Sequence, residues 1–174
     1  MKNPLSGSII INAILFQITW FACAIGGANN LLWPAILSCG VLAAFQLHTK
    51  NRHPNDVKLV FTSLLLGLTV DSLWIHLDLI SYSMHWPIST IAPLWIIILW
   101  LGFALTINHS LSWLKQHPLL PAICGFIFAP LSYIAGVKLG ALTFVASQSV
   151  IIIGLGLAWA AAMTILVNIS KSNS

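Results

Sequence analysis

Six apolar stretches, each near the length that crosses a bilayer, fill this chain of 174 residues and leave little else to fold. A helix needs about 20 mostly apolar residues to traverse the hydrocarbon core, with roughly 17 to 25 tolerated. The stretches run over 8–28, 31–47, 57–77, 91–114, 119–137 and 139–169. Turn-forming residues separate them. Gly26-Gly27-Ala28-Asn29-Asn30 closes the first, and Pro34 falls in the first turn of the second, where a missing N–H is harmless. His48 to Asp56 forms a markedly polar loop, with Asn55 or Asp56 placed to cap the third helix. Pro130, in the middle of the fifth stretch, implies a kink and a carbonyl freed one turn earlier. The expected fold is all-α: one polytopic transmembrane helix bundle of six spans.

Charge decides the orientation. Charged residues are 6% of the chain, against about 25% in soluble domains. The seven Lys and Arg are too few and too scattered for a nucleic-acid footprint. They act instead as topology markers. With the N-terminus inside, Lys2, Lys50, Arg52, Lys58, Lys115 and Lys171 are cytoplasmic and Lys138 is external, so six of the seven obey the positive-inside rule. Both termini are then cytoplasmic. Trp33, Trp74, Trp86 and Trp95 fall near the outer boundary and Trp113 near the inner one, at headgroup level. No short apolar core ending in a small-residue cleavage site follows Lys2, so the first stretch reads as a retained span. Cys23, Cys39 and Cys124 lie in apolar runs without a Cys-x-x-Cys pair and read as small buried hydrophobes.

Asp71 is the acid set deepest in an apolar run, about 20 Å from the inner end of its helix at 1.5 Å per residue. A charged Asp near the bilayer centre costs about 2.5 to 3.5 kcal/mol on insertion scales, so it must face the bundle interior, be paired or be protonated. Asp78, two turns on, shares its face, while His76 points nearly opposite. Tyr133, Lys138, Ser147 and Gln148 lie at similar depth on later helices and complete a candidate polar site: Asp71, Asp78, Tyr133, Lys138 and Gln148. Two readings are open, a polar site reached from outside or an Asp that ties helices together by hydrogen bonds. Lys138 pairs with one of the acids or snorkels to the interface.

A second polar set, Asn12, Gln17, Asn108 and His109, lies toward the inner side. Asn12 and Thr19 share a face by their spacing, which suits interhelical hydrogen bonds of about 0.6 to 2 kcal/mol. His109 reads first as a satisfied structural histidine. Asp71, His76, Asp78 and His85 lack the helix-face spacing of zinc sites, and no serine sits in a nucleophile elbow, so neither a metal nor a cofactor is expected. Gly154, Ala158 and Ala162 recur every four residues as a small-residue stripe that suits packing within the chain, or a homodimer contact. Gly154-x-Gly156 lies inside an apolar helix and is not a nucleotide loop. The three-plus-three helix arithmetic has no internal sequence similarity behind it.

Several stretches together carry a resemblance: Asn12-x4-Gln17-x2-Trp20; Asp71; Pro93-Leu94-Trp95 through Leu99-Trp100-x2-Phe103-Ala104 and Ser110-Leu111-x-Trp113-Leu114; and Gly125-x4-Pro130-Leu131-Ser132-Tyr133-x2-Gly136-x3-Gly140-Ala141. Over nearly the whole chain it resembles a family of small, uncharacterised proteobacterial inner-membrane proteins, a domain-of-unknown-function family. The resemblance implies an inner-membrane setting and a context in envelope-lipid modification or light-stress physiology, and no catalytic residue. The favoured function is a non-enzymatic lipid or small-molecule binder, or an accessory subunit beside a lipid-modifying enzyme. The alternatives are a membrane-embedded lipid-modifying enzyme with Asp71 as acid or base and Tyr133 or His109 assisting, or a small transporter. An enzyme site normally shows several convergent titratable groups, and one deep acid does not make such a set.

Overall fold

The computed structural model describes residues 4–171; Lys2 lies outside them. Along the chain run α1 (Pro4–Ala28), α2 (Trp33–Leu47), α3 (Asp56–His76), β1 (Ile80–Tyr82), α4 (Leu94–Ile107), a short 3-10 turn (Ser112–Gln116), α5 (Leu120–Lys138), β2 (Leu142–Phe144) and α6 (Gln148–Lys171). The fold is all-α. The four helices α1, α3, α5 and α6 are long and apolar enough to cross a membrane, and they mark a membrane protein. Ile10, Ile14, Ile18, Phe21 and Ile25 repeat at helical spacing along the exposed face of α1, which is the face a helix turns to lipid.

The six expected stretches appear as six helices, and two of them depart from their expected bounds. In place of 91–114, α4 spans 14 residues. Pro93 holds extended backbone at its start, and after Ile107 the chain turns, with the N–H groups of His109 and Leu111 both donating to the Thr106 carbonyl. Protein surrounds this short helix on several sides. It packs on α1, α2, α3 and α6. Neighbours also bond its carbonyls: Ser63 Oγ donates to Trp100 O at 2.8 Å and Asn12 Nδ2 to Leu105 O at 2.9 Å. A helix bonded by protein at its flanks need not meet the full bilayer thickness itself.

The other departure is the sixth stretch, expected from residue 139. Gly140 turns the chain at φ +77°, a backbone region that costs glycine nothing, and β2 follows before α6 starts at Gln148. β1 and β2 pair antiparallel with Ile80 opposite Phe144, Ser81 opposite Thr143 and Tyr82 opposite Leu142. Ser83 N extends the ladder to Ala141 O at 2.9 Å and Val145 N to Leu79 O at 2.9 Å. Thr143, Phe144 and Val145 are β-favouring residues, but an apolar run containing a short strand has the composition of a helix.

The α5–α6 pair is held by glycines. A Cβ on Gly125 would lie 2.4 Å from the Trp159 carbonyl oxygen, and one on Gly156 would lie 2.8 Å from the Phe126 ring and 3.0 Å from the Phe126 carbonyl oxygen. That carbonyl is the one Pro130 leaves without its helical donor. The small-residue stripe of α6 also packs within the chain: Gly154 sits on the Trp74 ring, and Ala162 is buried.

Candidate functional site

Asp71 is fully buried on α3. The Tyr82 hydroxyl donates to its Oδ1 at 2.5 Å, the Tyr133 hydroxyl donates to the same oxygen, and the Trp100 indole N–H donates to Oδ2 at 2.7 Å. One carboxyl therefore ties α3 to β1, α4 and α5, and three donors meet the demand that burying such a group creates. The local sequence makes room for this. Gly67 lies one turn before Asp71, and a Cβ there would fall 2.4 Å from the Trp100 indole. Ser72 Oγ accepts the Ala92 N–H at 2.9 Å, fixing the loop that leads into α4. The antiparallel ladder carries Tyr82 over the end of α3. Burial first, and the Asp71 carboxyl second, push the Tyr82 phenol well above its ordinary range, so it stays a donor.

Tyr133 and Trp100 also face a cleft of about 730 Å³ between α1, α4, α5 and α6. Its walls are apolar and largely aromatic, with Phe16, Trp20, Phe103, Phe128 and Trp159 among them. Trp100 stacks on Trp159 at a centroid distance of 4.3 Å and 18° between planes, which builds a flat inner wall. α1 and α5 do not pack against each other along their length. Among the described residues one hydrogen bond joins them, from Trp20 Nε1 to Ser132 Oγ at 2.8 Å. Phe21 and Phe128, both exposed, flank the opening. Asp71 itself does not line the cleft; it lies behind Tyr133 and Trp100.

A second polar cluster gathers at the opposite end of the bundle around Asp56. This buried carboxylate accepts the His53 backbone N–H at 2.8 Å, Asn108 Nδ2 at 2.9 Å and His109 Nε2 at 3.0 Å. Gln46 Nε2 reaches both the Asn51 carbonyl, at 3.2 Å, and His109 Nδ1, at 3.0 Å. A carbonyl can only accept, so the Gln46 nitrogen is the donor, Nδ1 accepts, and His109 carries its proton on Nε2. Gln46 Oε1 accepts Asn12 Nδ2 at 2.7 Å, Asn12 Oδ1 accepts Ser110 Oγ at 2.7 Å, and Lys115 Nζ donates to Asn108 Oδ1 at 2.6 Å. Burial lowers the Lys115 ammonium from its ordinary value, with Asp56 partly offsetting this. Burial, and then Lys115, lower His53. Both ring nitrogens of His109 are engaged, and the chain of bonds ties α1, α2 and α3 to the segment after α4.

The family model for a protein of unknown function, DUF2878, matches residues 9–165, which include both clusters and the cleft. The chain belongs to the DUF2878 family. No curated protein and no solved structure matches it. The family carries no assigned activity, so function must be argued from the geometry of this DUF2878 chain.

Of the expected outer site, the structure joins Asp71 to Tyr133 and separates the rest. Asp78 lies beyond the end of α3 with φ +51°, exposed to solvent. Gln148 is exposed at the start of α6. Lys138 is exposed and lines the cleft, and the Asp71 oxygens are taken by two phenols and an indole instead. Of the second set, Asn12, Asn108 and His109 fall into one network, whereas Gln17 is exposed along the cleft. Thr19 bonds the Leu15 carbonyl of its own helix at 2.9 Å, so of the pair read as interhelical only Asn12 bridges helices. Sequence reasoning missed Tyr82, Trp100, Gln46 and Asp56 as site members. Asp56 carried a signal, an acid beside a basic loop, that capping absorbed.

Proposed function

We propose that this DUF2878 protein is a multi-pass protein of a bacterial inner membrane, with six crossing helices and both termini cytoplasmic. It holds a lipid-class molecule in the cleft between α1 and α5, without converting it, as a binding protein or an accessory subunit in envelope-lipid modification. The observation that carries this reading is the cleft: about 730 Å³, apolar, aromatic, and bordered by two helices that, among the described residues, one hydrogen bond joins. The volume lies in the range of ligand sites, roughly 300–1,000 Å³. A gap of this kind on the lipid-facing side of a bundle takes an acyl chain rather than water, because its walls offer water few partners. Conversion of the ligand is disfavoured because Asp71 is screened by Tyr133 and Trp100, and the titratable groups at the wall, Cys124, Tyr133 and Lys138, are strung along α5 rather than convergent. In this reading Asp71 is a positioning residue that holds two cleft-lining aromatics.

Native mass spectrometry of protein extracted in polymer-bounded discs tests the reading. The wild type is expected to carry a stoichiometric lipid adduct through release from the disc. Ala129→Phe and Ala24→Phe, which place a ring in the cleft from opposite walls, are expected to lose the adduct while still melting cooperatively, at a somewhat lower temperature because both alanines are buried. A wild type free of adduct would sink the proposal, and a chemically altered lipid after incubation would replace it with the enzyme reading.

A further inference from the structure

We infer that the occupant of this cleft is an anionic amphiphile drawn from the bilayer, its head held at the β-ladder end by Lys138. The inference rests on the cleft reading and adds the chemistry and direction of the ligand. Among the described residues Lys138 is the charged one that lines the cleft, and no carboxylate lines it. Among the described residues Lys138 has no ion-pair partner, since the ion pair present there joins His109 to Asp56. By the positive-inside count it is also the lone cation on its side of the membrane, where such residues are disfavoured. A cation kept there, unpaired, at the rim of an apolar cleft matches an anion supplied by a ligand.

Trp95 closes the same end of the cleft: it lines the cleft, is 2% exposed, and its ring is fixed by Gly27, where a Cβ would lie 2.7 Å from the indole, and by an edge contact with Tyr82 at a centroid distance of 5.8 Å. The cleft lining follows α5 from Cys124 to Leu139, about 22 Å at 1.5 Å per residue, which accommodates a long chain lying along the helices. At the far end the lining is Leu111, Trp113 and Leu114, without a cation, and Lys115 is engaged by Asn108. The head therefore lies at Lys138 and the tail runs toward Trp113.

Tryptophan quenching of the purified full chain in micelles, with dibromostearate and the dibromostearyl alcohol of the same chain, tests this. The carboxylate is expected to bind at least tenfold more tightly than the alcohol. Lys138→Gln should erase that preference while leaving the alcohol's affinity unchanged, and Lys138→Arg should retain it. Equal binding of the two probes by the wild type, or a preference that survives Lys138→Gln, would overturn the head assignment and leave the cleft reading standing. Quenching of the wild type that Ala129→Phe does not relieve would be bulk partition, and would overturn the cleft reading together with this inference.

Discussion

Trp100 constrains what can replace Asp71 more than either tyrosine does. An indole N–H can only donate, so whatever occupies Asp71 must turn an acceptor toward Trp100, whereas a phenol can donate or accept. Asparagine meets that demand: its carbonyl faces Trp100 and its amide N–H groups point at the two phenol oxygens. Asp71→Asn is therefore expected to reach the membrane at wild-type abundance and to melt close to the wild type. Asp71→Leu leaves an indole and two hydroxyls without partners, at about 1–3 kcal/mol for each, and is expected to lose abundance and melt clearly lower. Equal melting of the Asn and Leu variants would mean that the network contributes nothing to stability. Asp71 and Tyr133 were legible in the sequence because an acid deep in an apolar run and a tyrosine beyond a mid-helix proline both stand out. Tyr82 and Trp100 were not, because an aromatic within an apolar stretch reads as packing, and its hydrogen bond depends on a register that only the folded ladder and helix pair supply.

At the level of elements, two small-residue sets on α6 and its neighbour look alike in sequence and differ in consequence. A Cβ on Gly125 meets backbone, 2.4 Å from the Trp159 carbonyl oxygen, whereas one on Gly154 meets the Trp74 ring at 3.4 Å, close to ordinary contact. Backbone cannot step aside without moving a helix. Gly125→Ala is therefore expected to destabilise by about 1–3 kcal/mol, as overpacking does, and Gly154→Ala to stay within about 0.5 kcal/mol; melting curves in the same detergent decide it. A Gly154→Ala effect as large as that of Gly125→Ala would show that the stripe, not the Gly125 contact, sets the helix separation. The number of helices was legible because apolar runs bounded by Gly, Pro and polar turns leave few other solutions. The extent of α4 and the existence of β2 were not: a helix wrapped by other helices and a short apolar strand at the bundle end share the composition of a span, and pairing partners 64 positions apart, Ile80 and Phe144, leave no local pattern.

For the whole molecule, the fold and the charges make two separable statements about topology. The loops after α1, after β1 and before β2 share one end: Ser83 N and Oγ bond the Ala141 and Gly140 carbonyls at 2.9 and 2.6 Å, and Gly140 sits beside Ala28. The loop before α3, the turn after α4 and the end of α6 share the other, joined through Asn55 to the Ser170 carbonyl at 3.3 Å and through Lys115, Asn108 and Asp56. Reporters fused after Asn30, Ser83 and Gly140 should thus all fall on one side, and those after Arg52, Gln116 and the C-terminus on the other, whichever way the bundle inserts. This requires α2, 15 residues long and so about 22 Å, to cross a hydrocarbon core of about 30 Å by local thinning of the bilayer. Agreement between the Asn30 and Arg52 reporters would show that α2 does not cross. Which side is which is decided by charge: Lys50, Arg52, Lys58, Lys115 and Lys171 lie at the Asp56 end and Lys138 at the ladder end, so the first reporter set is expected in the periplasm. Replacing Lys50 and Arg52 with Gln while adding two lysines beside His85 should then reduce or mix correct insertion. A variant of that kind that inserts as the wild type does would mean that packing at the two ends, rather than charge, sets the orientation.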